Sequence, residues 1–266
     1  MLPVYKASAF QKFALEGGSS LPCIVSVEDE YGHLLNDDYV IKIFKQDKSN
    51  HTCKEVFAAV LAQHFELKTP KPVLIEVNNA LLNVLKKQEK YKTWRVTEGV
   101  FFGNQYLKNT KSFIDTPALN AYDIWEITNL FAFDVLILNT DRQLGKPNIL
   151  TTNQDIYVID HELSMNISKP FGTYLNQNQW DYFIKDKRGG HLFRQYLCQV
   201  GQKNKVTFDD FTENLRTLKP KILYNYAEQL AEYDYAPLDI AHIVGYLEDV
   251  KKNESKFVEL LYKLLN

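Results

Sequence analysis

The alternation of apolar and polar positions predicts several β-strands in the first hundred residues of the chain. Residues 39–44, YVIKIF, alternate β-branched and aromatic side chains around Lys42, as expected of a strand. Residues 73–77 and residues 93–102 carry similar runs, and the second run ends at Gly103. The N-terminal part of the chain is therefore expected to be rich in β-structure.

One helix is predicted to interrupt these strands. Residues 53–66, CKEVFAAVLAQHFE, place apolar side chains on one face of a helix, and Pro70 follows as a residue that ends helices. Glu55 falls in the first turn of this predicted helix, where an acid interacts favourably with the helix dipole. A second role is also open to Glu55, because it could form an ion pair that holds Lys42 in place.

Helical spacing dominates the second half of the chain. Residues 118–138 read as one long apolar helix, and residues 175–266 carry mostly helical periodicity. We therefore predict an α+β protein with a strand-rich part in residues 1–105 and a mainly helical part in residues 106–266.

Composition narrows the setting of this chain. Its 266 residues are 45% hydrophobic, which is enough for a sizeable core, and the net charge of −2 gives no general attraction to nucleic acid or to an anionic membrane. No apolar run reaches membrane-spanning length, and the N-terminus lacks the apolar segment of a signal peptide. Cys23, Cys53 and Cys198 are odd in number and widely spaced, which argues against a disulfide framework or a zinc site. We expect a cytoplasmic protein.

Residues 139–160, NTDRQLGKPNILTTNQDIYVID, carry the strongest chemical signal. They place Asp141, Asn148 and Asp160 close in sequence, next to two apolar runs. Kinases use a loop with Asp and then Asn, followed by a strand ending in Asp, to hold a catalytic acid and metal ligands around a triphosphate. Asp141 would orient and deprotonate the attacking hydroxyl, and Asn148 and Asp160 would bind Mg²⁺ through hard oxygen atoms. Asp and Asn are also common in ordinary turns, so this stretch alone leaves both interpretations open.

Two upstream features would complete a triphosphate site. Lys42 either faces water from an edge strand or reaches the α- and β-phosphates of ATP. A second stretch joins two strand-like runs, with glycines that let backbone amides approach a ligand and serines that add hydroxyl donors; it comprises Gly17, Gly18, Ser19 and Ser20. This stretch matches neither of the two common phosphate-loop patterns, so a plain turn stays open.

The order of these motifs resembles the HipA-like kinases. GGSS followed by a proline, VIKIF, a helix with an early Glu, NTDRQLGKPNIL and VIDH succeed one another over residues 8–165, and the compact bacterial group of this family is the most similar. The resemblance implies a two-lobed protein-kinase-like fold, with a small β-rich N-lobe and a larger, mainly helical C-lobe. It also implies ATP, magnesium, and phosphorylation of serine or threonine on a protein substrate or on the protein itself. A toxin-like role with an antitoxin-like protein partner would follow from the same family.

The family's site residues can be carried over one by one. The resemblance assigns the catalytic aspartate to Asp141 and the metal ligands to Asn148 and Asp160. It assigns the nucleotide-binding roles to the four residues of the predicted phosphate loop, to the ATP lysine and to its paired acid, which are Gly17, Gly18, Ser19, Ser20, Lys42 and Glu55.

Two departures from the family pattern affect this assignment. The metal-binding Asn of the family often stands five residues after the catalytic Asp, where this chain has Lys146. Asn148 is chosen instead because it precedes Ile-Leu as the pattern requires, and Lys146 would either neutralise phosphate charge or mark a weakened site. Asp160 is followed by His161 and Glu162 rather than by Phe-Gly. We expect His161 to make local hydrogen bonds, and Glu162 is a candidate third carboxylate for the metal.

Three functions remain open at this stage. The leading hypothesis is an ATP-dependent protein kinase. The second is a small-molecule or lipid kinase, because the same constellation serves those acceptors. The third is a non-catalytic nucleotide-binding regulator, which Lys146 keeps open.

Overall fold

A computed structural model of the protein describes residues 1–14, 20–44, 49–89, 92, 96–113, 119, 122–152, 154–167, 169–176, 190–201, 206–235 and 238–266. The chain divides into two compact units. The first unit comprises Met1–Val56, Pro70–Lys108 and Tyr226–Pro237, and the second comprises Phe57–Thr69, Asn109–Asn225 and Leu238–Asn266. The N-terminal region is rich in strands and the C-terminal part is helical, so the mixed α and β character predicted from the sequence is confirmed. The boundary at residues 105 and 106 stays a prediction.

A closed five-stranded sheet forms the centre of the first unit. Its strands follow one another in space as β1-β2-β3-β5-β4, and β4 pairs with β1 in parallel while the other pairs are antiparallel. The strands are β1 (Val4–Phe13), β2 (Ser20–Glu28), β3 (Leu34–Phe44), β4 (Pro72–Val77) and β5 (Gly99–Gln105).

The interior of this sheet is filled by alternate residues of the strands. Cys23 and Val25 of β2 and Ile41 and Ile43 of β3 are completely buried in one cluster, as the period of two in a strand requires. The short helix α2 (Asn79–Lys86) adds three leucines to the same cluster. The side chain of Asn78 caps this helix by accepting a hydrogen bond from the Leu81 amide at 2.9 Å.

The strand predicted over residues 93–102 is present, but it does not end at Gly103. The strand β5 begins at Gly99 and continues through Gly103 to Gln105, and residues 93–95 lie outside the described residues. A Cβ atom on Gly103 would lie 2.6 Å from Cδ1 of Ile75 and 3.1 Å from the carbonyl oxygen of Val40. This glycine therefore permits close packing inside the sheet instead of ending the strand.

The helix predicted over residues 53–66 begins earlier than expected. Helix α1 (Ser49–His64) includes four residues before Cys53, so Glu55 lies in its second turn, and its first turn contains no acid. The interpretation of Glu55 as a first-turn residue that interacts with the helix dipole is therefore wrong.

The second unit combines a small antiparallel sheet with most of the helices. Its strands β6 (Lys111–Ser112), β7 (Ile149–Thr151) and β8 (Ile156–Val158) pair in that order. Its helices are α3 (Ile124–Leu136), α4 (Phe171–Asn176), α5 (Arg194–Gly201), α6 (Asp209–Thr217), α8 (Ile240–Lys252) and α9 (Glu254–Leu265). Helix α7 (Ile222–Ala231) contributes residues to both units.

Helix α3 is shorter than the predicted helix over residues 118–138. It starts at Ile124, where the side chain of Asp123 accepts a hydrogen bond from the Trp125 amide at 3.0 Å, and residues 114–118, 120 and 121 lie outside the described residues. Its last ten residues, 127–136, are all buried, including the polar Thr128, Asn129 and Asp134. The chain leaves α3 through Leu138, which has a positive φ of 53°.

A helix that spans a membrane needs about 20 consecutive, mostly apolar residues. Each helix in the described part of the chain is too short or too polar to cross a bilayer.

Candidate active site

In the first unit, the candidate ATP lysine is buried and paired. Lys42 is only 9% exposed and has apolar neighbours on β3, and its Nζ donates a hydrogen bond to Oε1 of Glu55, which is 2% exposed. The strand β3 pairs with β2 on one side and β5 on the other, so the interpretation of Lys42 as a water-facing residue on an edge strand is wrong. The ion pair proposed for Glu55 is present, while the phosphate-binding role of Lys42 stays a prediction.

The predicted phosphate loop consists of Gly17, Gly18, Ser19 and Ser20. Gly17, Gly18 and Ser19 lie outside the described residues, and only the backbone of Ser20, the first residue of β2, is described. Their role in phosphate binding stays a prediction.

In the second unit, a β-hairpin brings the two predicted metal ligands to one end of the small sheet. Asn148 directly precedes β7 and Asp160 follows β8, and the amide of Ile159 donates to the carbonyl oxygen of Asn148 at 3.2 Å. Both ligands have left-handed backbone conformations, with φ of 49° at Asn148 and 63° at Asp160. Asn and Asp tolerate this region better than most residues, and such conformations cluster at functional sites.

Asp141 lies beside this hairpin, with its carboxylate held by two neighbours. Its Oδ2 accepts hydrogen bonds from Nζ of Lys146 at 2.7 Å and from Nδ2 of Asn148 at 3.1 Å. Its backbone amide donates to Oδ1 of Asn139 at 3.2 Å. The structure therefore brings Asp141, Asn148 and Lys146 together.

Nearby carboxylates shift the pKa of Lys146. Burial alone would lower the pKa of Lys146, but the hydrogen bond to Asp141 and the charges of Asp141, Asp160 and Glu162 outweigh it and raise this pKa above its usual value. One carboxylate oxygen of Asp160 lies within 4.8 Å of one of Glu162. The ammonium of Lys146 thus stays protonated at neutral pH, next to a group of acids.

Beneath the loop, Arg142 forms the centre of a buried polar network. Its guanidinium donates from Nε to Oδ2 of Asp134 at 2.5 Å and from Nη2 to Oδ1 of the same carboxylate at 3.2 Å. Its Nη1 donates to the carbonyl oxygens of Pro147 at 3.1 Å and Asn148 at 2.6 Å. Arg142 thus braces the loop through carboxylate and backbone hydrogen bonds.

Two histidines complete this network as neutral rings. Nη2 of Arg142 lies 3.2 Å from Nε2 of His161, and a guanidinium can only donate, so this nitrogen accepts. Nε2 of His191 lies 2.9 Å from Oδ2 of Asp134, while its Nδ1 accepts from the Phe193 amide, which places the proton on Nε2. His161 therefore makes the local hydrogen bonds expected of it.

Burial and pairing shift the pKa values in this network. Burial alone would raise the pKa of Asp134, but the positive charge of Arg142 and the hydrogen bond from His191 outweigh it, and the pKa lies well below its usual value. Burial lowers the pKa of His191 despite the opposing effect of Asp134. The folded protein thus favours a charged Asp134 and a neutral His191.

Sequence reasoning missed Asp134, Asn139 and His191. Asp134 is the only charged residue in the apolar run of residues 127–138, and a lone acid in such a run was the available signal. Asn139 Nδ2 donates to Oδ1 of Asp134 at 2.7 Å and so links this acid to the backbone of Asp141. No local pattern marks His191, which is 57 residues from Asp134 in the sequence.

The neutral state of His191 predicts a loss of stability in mild acid. Above about pH 6.5 the ring is neutral in both the folded and the unfolded protein. Below that pH the unfolded chain takes up a proton that the folded ring resists, so the free energy of unfolding falls. His191→Gln should reduce the loss between pH 7.5 and 5.5 by about 1 kcal/mol, measured by denaturant unfolding at both pH values.

A matched control is His33→Gln, because the His33 side chain is 78% exposed. This variant should keep the pH dependence of the original protein. An unchanged pH dependence in His191→Gln would contradict the assignment.

Comparison with known proteins identifies the family of this chain. A family model described as HipA-like kinase matches residues 15–254, which confirms the resemblance found in the sequence. A search of curated proteins finds no match. Among solved structures, the crystal structure of a Helicobacter pylori proinflammatory kinase, CtkA, is similar with a TM-score of 0.48 and 11% sequence identity, covering 100% of this chain and 99% of that one.

Proposed function

The chain belongs to the HipA-like kinase family, and from that premise we propose that it is an ATP- and magnesium-dependent kinase that phosphorylates serine or threonine on a protein, itself included. The observation that carries this proposal is the set formed by Asp141, Asn148 and Asp160 around the β7–β8 hairpin. Two lobes with the family's arrangement, a toxin-like role and an antitoxin-like partner are parts of the same proposal.

The donor atoms available at the hairpin fit magnesium. Asn148, Asp160 and Glu162 offer amide and carboxylate oxygens, which are the hard ligands that Mg²⁺ prefers. The amide nitrogen of Asn148 donates to Asp141, which leaves Oδ1 of Asn148 as the atom for a metal. Asn148 and Asp160 would hold the ion, with Glu162 as a third candidate. When bound, magnesium would neutralise charge on the triphosphate.

Asp141 is the proposed base for the transfer step. Lys146 and Asn148 both bond to Oδ2 of Asp141, so its Oδ1 is the proposed acceptor of the proton from the substrate hydroxyl. The hydroxyl oxygen then bonds to the γ-phosphorus as the bond from this phosphorus to the β-phosphate oxygen breaks, and ADP leaves.

Lys42 and Glu55 supply the other proposed contact with the nucleotide. A buried ammonium paired with a carboxylate has few orientations available, so its charge is ready for the α- and β-phosphates without much loss of entropy on binding. This is the role that the family assigns to the pair.

One observation favours a second function. Lys146 donates a hydrogen bond to one carboxylate oxygen of the proposed base. Such a bond is compatible with a regulator that binds nucleotide without transferring phosphate, because that function needs no free base. Purified protein incubated with γ-labelled ATP and magnesium, alone and with a lysate, separates the candidates. Label on protein supports the proposed kinase, label in a lipid or metabolite fraction indicates a small-molecule kinase, and nucleotide binding without any transfer indicates the regulator.

We expect Lys42→Ala and Asp160→Asn each to reduce the thermal protection that ATP and magnesium give. At a nucleotide concentration of about 100 times Kd, binding stabilises the native protein by about 2.7 kcal/mol, or roughly 5–10 °C in Tm for a chain of this size. A tenfold loss of affinity removes about 1.4 kcal/mol of this. The measurement is the shift in Tm on adding ATP with magnesium, taken relative to each variant's own Tm without nucleotide.

The two variants should differ in how they depend on the metal. Lys42→Ala should weaken protection by ATP with or without magnesium, because it removes a direct phosphate contact. Asp160→Asn should weaken only the part of the thermal protection by ATP that requires magnesium. Equal shifts in the original protein and both variants would contradict these two assignments.

A further inference from the structure

Lys146 is a cation that bonds to one of the acids in the second unit. Its Nζ lies 2.7 Å from Oδ2 of Asp141, the oxygen that also accepts the amide hydrogen bond of Asn148. The charges of Asp160 and Glu162 also stabilise the protonated form of this lysine. This ammonium thus bonds directly to the proposed base and lies in the field of two further carboxylates.

The fold fixes the backbone that carries this lysine. The amide of Lys146 donates to the carbonyl oxygen of Gln143 at 2.9 Å, and the amide of Gln143 donates to the carbonyl oxygen of Lys146 at 3.1 Å. This tight turn is followed by Pro147, whose carbonyl oxygen accepts from the buried Arg142. Lys146 therefore starts from a backbone held on both sides, unlike a lysine on a free loop.

Arg142, the other cation of this loop, serves a different purpose. Its guanidinium is directed inward, onto Asp134 and two backbone carbonyls, and its side chain has no exposed surface. The side chain of Lys146, in contrast, is 53% exposed and can meet an incoming ligand. A polyphosphate adds negative charge to a group that already holds three carboxylates, so cations must accompany it.

We propose that Lys146 is a resident cation that stands in for a second divalent ion, so that the nucleotide polyphosphate binds beside Asp141 with one metal instead of two. This inference rests on the proposed nucleotide-binding function. Lys146 binds the polyphosphate through its ammonium and keeps Asp141 in position. The lysine occupies the space next to Oδ2 of Asp141 where a second ion would otherwise neutralise the acids.

Two measurements on the full chain test this role without relying on activity. The first is the affinity for a non-hydrolysable ATP analogue in EDTA. Lys146→Met keeps the length of the side chain and removes its charge, and it should weaken this affinity about fivefold, the upper range for a partly exposed charge pair. Lys146→Arg should keep most of the affinity. Lys219→Met, which removes the charge of an exposed lysine in the loop before α7, is the matched control and should change nothing.

The second measurement is the number of Mn²⁺ ions bound with the analogue, obtained from the free Mn²⁺ signal in electron paramagnetic resonance. The original protein and Lys146→Met should bind one ion. Lys146→Asn should bind two, because an amide oxygen next to Asp141 offers a hard ligand where the ammonium was.

The outcomes separate this inference from the function on which it rests. Two ions in the original protein, or unchanged metal-free affinity in Lys146→Met, would overturn the role of Lys146 and leave nucleotide binding intact. If the original protein binds no nucleotide under any condition, the proposed function fails, and the role of Lys146 fails with it.

Discussion

Asp141→Asn is expected to lose phosphoryl transfer while keeping its fold and its affinity for nucleotide. An asparagine can still accept hydrogen bonds from Lys146 and Asn148, so the loop should keep its shape. It cannot take a proton from the acceptor hydroxyl. Because a positioned general base contributes about 10²- to 10⁴-fold, the transfer rate should fall by that factor. The measurements are labelled phosphate transfer and nucleotide affinity on the same preparations.

Asp155→Asn provides a matched control for this substitution. Asp155 belongs to the same unit and also bonds to a lysine, with its Oδ1 2.8 Å from Nζ of Lys68, but it is not part of the proposed site. Its variant should transfer phosphate at the original rate. If Asp141→Asn also transfers at the original rate, the base lies elsewhere, and Glu162 is the next residue to replace.

The residues that could be predicted from the sequence are those whose signal is local. Asp141, Asn148 and Asp160 lie within twenty residues of one another, and a hairpin between them needs only short-range pairing. The local pattern therefore predicts a set that the structure places around one hairpin. Lys42 and Glu55 are also close in sequence, and their ion pair was foreseen although the start of helix α1 was not.

What could not be predicted depends on distant parts of the chain. Whether Glu55 lies in the first or second turn depends on where α1 begins, and the polar residues before Cys53 gave no apolar spacing to reveal it. Gly103 was predicted to end a strand. A glycine stands there because the Ile75 side chain on the neighbouring strand β4 leaves no room for a Cβ atom. His191 bonds to Asp134 although 57 residues of sequence separate them. Tertiary packing determines these three features, and a short stretch of sequence does not contain the residues that pack together.

The contact between Lys146 and Asp141 shows a third kind of limit. The sequence placed a lysine at a position where the family often has a metal ligand, and it left open whether this lysine neutralises charge or weakens the site. The structure shows that the ammonium bonds to the proposed base and lies in the field of two further acids, and neutralisation of phosphate charge by Lys146 stays a prediction. A residue type alone cannot give the direction of its side chain.

Arg142→Met is expected to cause the largest loss of stability among the variants considered. Asp134 is completely buried, and it stays charged because Arg142 lies beside it. Removing the guanidinium leaves a buried carboxylate without its main counter-charge, which typically costs about 3–5 kcal/mol. The carbonyl oxygens of Pro147 and Asn148 also lose their donor, so the loop that carries Asp141 should loosen. Denaturant unfolding at pH 7.5 measures the first effect, and the transfer rate measures the second.

A double substitution separates the buried charge from the bracing of the loop. Asp134→Leu combined with Arg142→Met removes both charges, so its free energy of unfolding should exceed that of Arg142→Met alone, although it carries one more substitution. Its phosphoryl transfer should stay low, because neither new side chain can donate to the carbonyl oxygen of Asn148. Arg216→Met serves as the control, since Arg216 pairs with Glu254 at the surface and its loss should change stability little. If the double variant is less stable than Arg142→Met, uncompensated charge is not the cause, and the hydrogen bonds that Asp134 accepts from Asn139 and His191 carry the stability instead.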